Sequence, residues 1–140
     1  MDVKTPFLHG DLEEEIYMKQ LEGFTVKEKK ELVCRLTKSL YGLKQSPRMW
    51  YQKFDTYIQG LGFTRSKEDN CVYFKLISDR VLYLVLYVDD ILLIGNGKEI
   101  IQDLKTQLFS KFDMKDLGAT NYYLGMEIKR VWEKRKLWLN

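Results

Sequence analysis

Cysteine is scarce: the 140 residues hold only Cys34 and Cys71. The two lie far apart, with no metal-ligand spacing, which argues against a structural metal site. They are expected to be free thiols in a reducing compartment. Histidine is scarcer still, with His9 alone; it is expected in a loop, not as a catalytic or ligand residue. No apolar run can span a bilayer. The longest, Val81 to Val88, falls far short of the ~20 residues a membrane helix needs. Met1-Asp2-Val3-Lys4 carries no secretory signal at the start given. Repeats and low-complexity tracts are absent. Charge of one sign is lacking too, because 23 Lys and Arg nearly offset 20 Asp and Glu. The net +3 permits nucleic-acid contact without demanding it. What is present is ordinary for one globular domain with a real core: 45% apolar and 31% charged residues.

The charged stretch Lys27-Glu28-Lys29-Lys30-Glu31 is expected to form an exposed turn or loop. Ser46-Pro47 opens the first convincing helix, since Ser suits the N-cap and Pro the first helical position. Trp50, Phe54, Tyr57, Ile58 and Leu61 then recur at helical spacing, and Gly60 and Gly62 supply the stop. Two β-rich runs follow, Cys71 to Ile77 and Val81 to Tyr87, separated by a turn at Ser78-Asp79-Arg80. A third, Ile91 to Ile94, comes after only Val88-Asp89-Asp90. A second helix places Ile101, Leu104, Leu108, Phe109 and Phe112 on one face. Tyr122 to Val131 reads as one strand, and Lys136 to Leu139 as the start of another. With Met1-Asp2-Val3 in front, the order is roughly β-α-β-β-α-β. This predicts an α+β, split βαβ sheet with two helices on one face.

Asp89-Asp90 is the sharpest local feature. Both flanks are apolar, so the pair sits at the mouth of a hairpin that must be largely buried, where charge is costly without compensation. Two carboxylates about 4 Å apart repel by about 4 kcal/mol at an effective dielectric near 20. A divalent cation would turn that repulsion into coordination. A tight turn here centres on Val88-Asp89, and β-branched Val fits two-residue hairpin turns poorly. Such a broken local rule often marks a functional position. An ordinary acidic turn fits the spacing equally well. Asp2, at the end of a short strand, can lie beside this hairpin in a split βαβ sheet and face Asp89. Hard cations such as Mg²⁺ take a few carboxylates and leave the remaining positions to water and phosphate. Two such ions can clamp an in-line phosphoryl transfer.

Four strings carry a family resemblance across essentially the whole chain. Tyr87-Val88-Asp89-Asp90 looks like the YVDD box of reverse transcriptases. Asp2-Val3-Lys4-Thr5-Pro6-Phe7-Leu8-His9-Gly10-Asp11-Leu12, continuing through Glu14-Glu15-Ile16-Tyr17-Met18 and Glu22-Gly23-Phe24, resembles the first catalytic motif of copia-type retrotransposon enzymes. Leu40-Tyr41-Gly42-Leu43-Lys44-Gln45-Ser46-Pro47-Arg48-Met49-Trp50 is similar to their next box. Tyr123-Leu124-Gly125-Met126-Glu127-Ile128 resembles their primer-grip strand.

The resemblance implies the palm of an RNA-directed DNA polymerase over residues 1–140, ending in the primer-grip region. Its partners would be an RNA or DNA template-primer and dNTPs, with no membrane. Two Mg²⁺ ions, or Mn²⁺, would be held by Asp2, Asp89 and Asp90, with the Val3 carbonyl assisting. Phe7 would be the steric gate under the sugar. Tyr41, Gly42 and Lys44 would lie near the nucleotide and template, and Leu124 and Gly125 would position the primer end. Tyr123 is expected to pack in the core. The setting would be intracellular, in a cytoplasmic virus-like particle or the nucleus. Pro6 and His9 depart from the Ala and Asn expected in the first motif, and Pro6 puts a rigid φ next to the gate. The resemblance also implies truncation, with fingers upstream and the thumb and ribonuclease H of a Pol polyprotein downstream. Asp2 is then expected to fray, leaving the isolated chain little or no activity. A non-enzymatic remnant of a degenerate element shares every motif. An RNA-binding module with the same element order would need an aromatic surface string that is missing here.

Overall fold

The computed structural model describes residues 1–26, 31–134 and 136–140; the charged stretch around Lys27 to Lys30 lies outside them. Its centre is a six-stranded antiparallel sheet of β1 (Asp2–Val3), β4 (Thr64–Arg65), β5 (Val72–Ile77), β6 (Arg80–Tyr87), β7 (Asp90–Gly95) and β8 (Met114–Lys115). The spatial order is β4-β5-β6-β7-β1-β8. Alternation along β6 sets the two faces. Leu82, Leu84 and Leu86 are buried, whereas Tyr83 and Tyr87 are exposed.

Both helices pack on the buried face. From α1 (Ser46–Gly60), Trp50, Phe54 and Ile58 enter the core, and from α2 (Lys98–Lys111), Leu104 and Leu108 do the same. They meet Tyr73, Leu84, Ile91, Phe112 and Met114 in one cluster. Ring contacts knit its centre: Phe112 lies 5.2 Å from Trp50 and 5.8 Å from Phe54. The Tyr73 hydroxyl donates to the Asp55 carboxylate of α1 at 2.9 Å, tying helix to sheet. The expected α+β class with two helices on one face therefore holds.

Four expectations need correction. The chain after the first motif forms a separate hairpin of β2 (Asp11–Lys19) and β3 (Val33–Lys38), which the periodicity did not signal. Tyr122 to Val131 is not one strand. It splits into β9 (Tyr122–Tyr123) and β10 (Met126–Val131), because Leu124 and Gly125 both take positive φ, 50° and 83°. That is the twist-matched two-residue hairpin turn. With β11 (Lys136–Leu139) these strands form a three-stranded sheet of their own. Ser46 does not cap α1; Gln45 holds that position, and the Ser46 hydroxyl donates instead to the Leu40 carbonyl. Phe109 is exposed, since it lies one residue off the Leu104–Leu108 stripe. Pro6, by contrast, is well accommodated. It opens a 3-10 turn, Pro6–His9, where its fixed φ is suited, although Thr5 before it takes φ 48°.

Cys34 and Cys71 are both free. Among the described residues, no helix is long and apolar enough to cross a membrane.

Candidate active site

The acidic hairpin closes as a two-residue turn. Tyr87 pairs with Asp90, leaving Val88 and Asp89 at the tip. Val88 takes φ 56°, a conformation Gly adopts freely and a β-branched residue resists, at a cost of about 1–3 kcal/mol. One bond fixes this turn from outside the sheet: the Trp50 indole N–H of α1 donates to the Val88 carbonyl at 2.6 Å.

Asp2 is placed by pairing on both sides. It stands opposite Asp90 on β7 and opposite Lys115 on β8. The Val3 amide donates to the Asp89 carbonyl, and the Ile91 amide to the Met1 carbonyl, both at 2.8 Å. The Met1 ammonium donates to the Ile91 carbonyl at 2.8 Å. Asp2 is thus flanked by sheet neighbours on both sides. Strand β1 is interior to the sheet, and its neighbour is Asp90 in register, not Asp89.

Paired residues share a face, so Asp2, Asp90 and Tyr87 lie on the open side of the sheet, away from the helices. Burial, then the charges of Asp89 and Asp2, raise the Asp90 carboxyl above its ordinary range. Burial, then the same two aspartates, raise the Tyr41 phenol. Asp2 and Asp89 thus both act on Asp90 and on Tyr41. Among the described residues, no group of three or more His, Cys, Asp and Glu is gathered closely enough to hold a metal ion. The donors present are carboxylate oxygens, which suit hard divalent cations when phosphate and water complete the shell.

Phe7 and Tyr41 come together beside these acids, their ring centroids 4.8 Å apart. Tyr41 sits on the loop between β3 and α1, where Gly42 takes φ 94° and Gly42 and Lys44 are exposed. That loop is pinned at its base by buried Ser39, whose hydroxyl donates to the buried Ser46 hydroxyl. Leu124 and Asp90 line one cavity of about 520 Å³, with Leu92, Tyr123 and Arg130 also lining it. Gly125 completes the turn at the tip of that hairpin. The Tyr123 hydroxyl is buried without a hydrogen-bond partner. Burial, then Asp90, pushes its pKa up to about 12.

Sequence reasoning places Trp50 and Tyr123 in family strings but gives neither a role beyond packing. Nothing in helical spacing reveals where an indole N–H ends. For Trp50 the one available signal was chemical: a buried indole needs an acceptor.

Comparison with known proteins identifies the family. Residues 1–139 match the family described as reverse transcriptase (RNA-dependent DNA polymerase). The chain belongs to that family. It is 55% identical over 141 residues to the retrovirus-related Pol polyprotein from transposon TNT 1-94 of Nicotiana tabacum, covering all of this chain and 11% of that protein. It is 40% identical to the Pol polyprotein from transposon RE2 of Arabidopsis thaliana, over 94% of this chain and 9% of the relative. A transposon Ty5-1 protein of Saccharomyces cerevisiae is 36% identical over 91% of this chain and 42% of its own length. The chain thus spans about a tenth of the Pol polyproteins and under half of the yeast protein. The relatives are copia-type retrotransposon proteins, as the motifs implied. No solved structure matches.

Proposed function

We propose that this chain forms the catalytic palm of an RNA-directed DNA polymerase, serving template-directed nucleotidyl transfer during retrotransposition. The observation that carries the reading is the pairing of Asp2 with Asp90, beside an Asp89 whose carbonyl the Val3 amide holds. Asp2 and Asp90, from two distant motifs, thereby share the open sheet face, and Asp89 stands in the adjoining turn.

Asp2, Asp89 and Asp90 would hold two Mg²⁺ or Mn²⁺ ions, with the Val3 carbonyl assisting. Bound there, the ions would lower the pKa of the attacking 3′-hydroxyl and stabilise charge on the leaving pyrophosphate. Phe7, against Tyr41, is the wall that would exclude a 2′-hydroxyl. Tyr41, Gly42 and Lys44 would line the path of nucleotide and template, and Leu124 and Gly125 would press the primer end toward Asp90. Fingers, thumb and ribonuclease H of a Pol polyprotein would supply the remaining contacts.

The test is Mn²⁺ binding by this chain, followed by paramagnetic relaxation of water protons, with primer extension on an RNA template alongside. Wild type is expected to bind Mn²⁺ and Asp89→Asn to lose most of that binding. Extension by the isolated chain is expected to be weak or absent. Equal Mn²⁺ binding by wild type and Asp89→Asn would favour a non-enzymatic remnant instead.

A further inference from the structure

We propose that Trp50 is a positioning residue for the acidic turn: its indole N–H holds the Val88 carbonyl and thereby fixes where Asp89 and Asp90 stand. The inference rests on the reading of those aspartates as the catalytic pair.

Three observations converge. The turn residue has a conformation its side chain disfavours, with Val88 at φ 56°. A strained backbone persists only where its surroundings over-determine it. The Val88 side chain is 47% exposed, so packing of that side chain does not fix the turn. The indole is the opposite, 2% exposed and wedged by rings on several sides. His9 lies 5.8 Å away, Phe54 5.5 Å and Phe112 5.2 Å, between centroids. The donor is therefore enclosed by neighbouring rings, and its 2.6 Å bond reaches across 38 residues of sequence. Trp has a donor and no acceptor, so the polarity of the contact is fixed.

The bond also links the two halves of the site. Trp50 ends the string that begins with Leu40, and Val88 belongs to the acidic turn. The same turn's Asp89 carbonyl receives the Val3 amide of β1. Helix α1, a hairpin tip and the strand carrying Asp2 are thus joined through two consecutive carbonyls, Val88 and Asp89. Packing alone would need only an aromatic ring at position 50; positioning needs the N–H.

That distinction defines the experiment. Trp50→Phe keeps a buried ring and deletes the donor. Val88→Gly removes the conformational penalty, because Gly takes positive φ without cost. The two variants and their combination are compared by Mn²⁺ affinity and by hydrogen exchange of the Val3 amide, with the Leu84 amide as reporter of global opening. Trp50→Phe is expected to weaken Mn²⁺ binding and raise Val3 exchange relative to Leu84, each roughly five- to tenfold, the worth of one hydrogen bond. In the Val88→Gly background the same change is expected to have almost no effect on either. Equal losses in both backgrounds would make Trp50 a core filler and overturn the proposal, as would unchanged Val3 exchange in Trp50→Phe. If wild type shows no Asp89-dependent Mn²⁺ binding, the catalytic reading fails, while Val3 exchange still decides the anchor. Should Trp50→Phe not fold, exchange of the indole proton in the unaltered chain decides: protection like that of buried amides supports the bond, and free exchange overturns it.

Discussion

Adjacent residues on β5 live in different solvents. Tyr73 is fully buried against the helices, whereas Phe74 is 38% exposed on the opposite face. The contrast runs across the whole sheet. Leu84 and Ile91 are sealed under α1 and α2, while Tyr83 and Ile94 remain open to water at 44% and 49%. One face holds the fold together, and the other carries Asp2 and Asp90 at its end. A single antiparallel sheet can do both because its side chains alternate.

The comparison breaks most visibly at Phe54. It is 0% exposed and touches the rings of Trp50, Tyr73 and Phe112. Phe54→Ala is expected to cost about 3–5 kcal/mol, from lost burial plus the cavity left behind. Urea denaturation would measure it. A loss under about 1 kcal/mol would mean that this face is not the main source of stability.

How much of this was legible in advance depended on whether the signal was local. The α1 stripe and the β5–β6–β7 run were readable because 3.6- and 2-residue periods are written into neighbouring positions. The tight turn at Val88-Asp89 was readable from the shortness of the gap. The neighbour of Asp2 was not, since a two-residue strand has no period; the expected partner was Asp89, and pairing with Asp90 emerged only from the register. Hairpin β2–β3 was hidden because its residues are mostly exposed on both faces, which erases alternation. The break at Leu124-Gly125 was hidden because Leu at φ 50° is not a turn signal. Contacts such as Trp50 to Val88 depend on long-range packing, which no window captures.

A second break of the comparison lies where the Pro6–His9 turn leads out against α1. A Cβ on Gly10 would meet the Met49 Cβ at 2.8 Å and the Ser39 Cβ at 3.3 Å. Neither is a flexible side-chain end, so the elements must separate. Gly10→Ala is expected to cost about 1–3 kcal/mol, the usual range for overpacking. A thermal melt unchanged from wild type would show that the contact is looser than its geometry.

His9 sharpens the comparison by pH. It packs on the Trp50 and Phe112 rings on the helix side. Burial lowers its pKa below the ordinary histidine value. The unfolded chain therefore takes up this proton at higher pH than the folded one. The stability His9 contributes is full above about pH 6.5 and is lost as pH falls through that value toward the folded pKa. His9→Phe keeps a ring there and cannot be protonated. Between pH 7 and 5 wild type is expected to lose more Tm than this variant, on the order of 2 °C given solvent screening. Parallel losses would remove His9 from the account.

The smallest effect is expected on the open face, and it is the strictest check of the contrast. Tyr83 lies between Phe74 and Ile94 in register, on two well-paired strands. Thr at this position supplies a β-branched, strand-favouring side chain and removes the exposed ring. Only cross-strand contacts with those two neighbours are given up, each worth a few tenths of a kcal/mol. Tyr83→Thr is therefore expected to change stability by about 0.5 kcal/mol or less, roughly a tenth of the Phe54→Ala loss. A template-primer lying on this face would draw on the ring. The same substitution should then weaken binding of an RNA–DNA duplex by this chain in a fluorescence-anisotropy titration. A large loss of stability with unchanged duplex binding would reverse the roles assigned to the two faces.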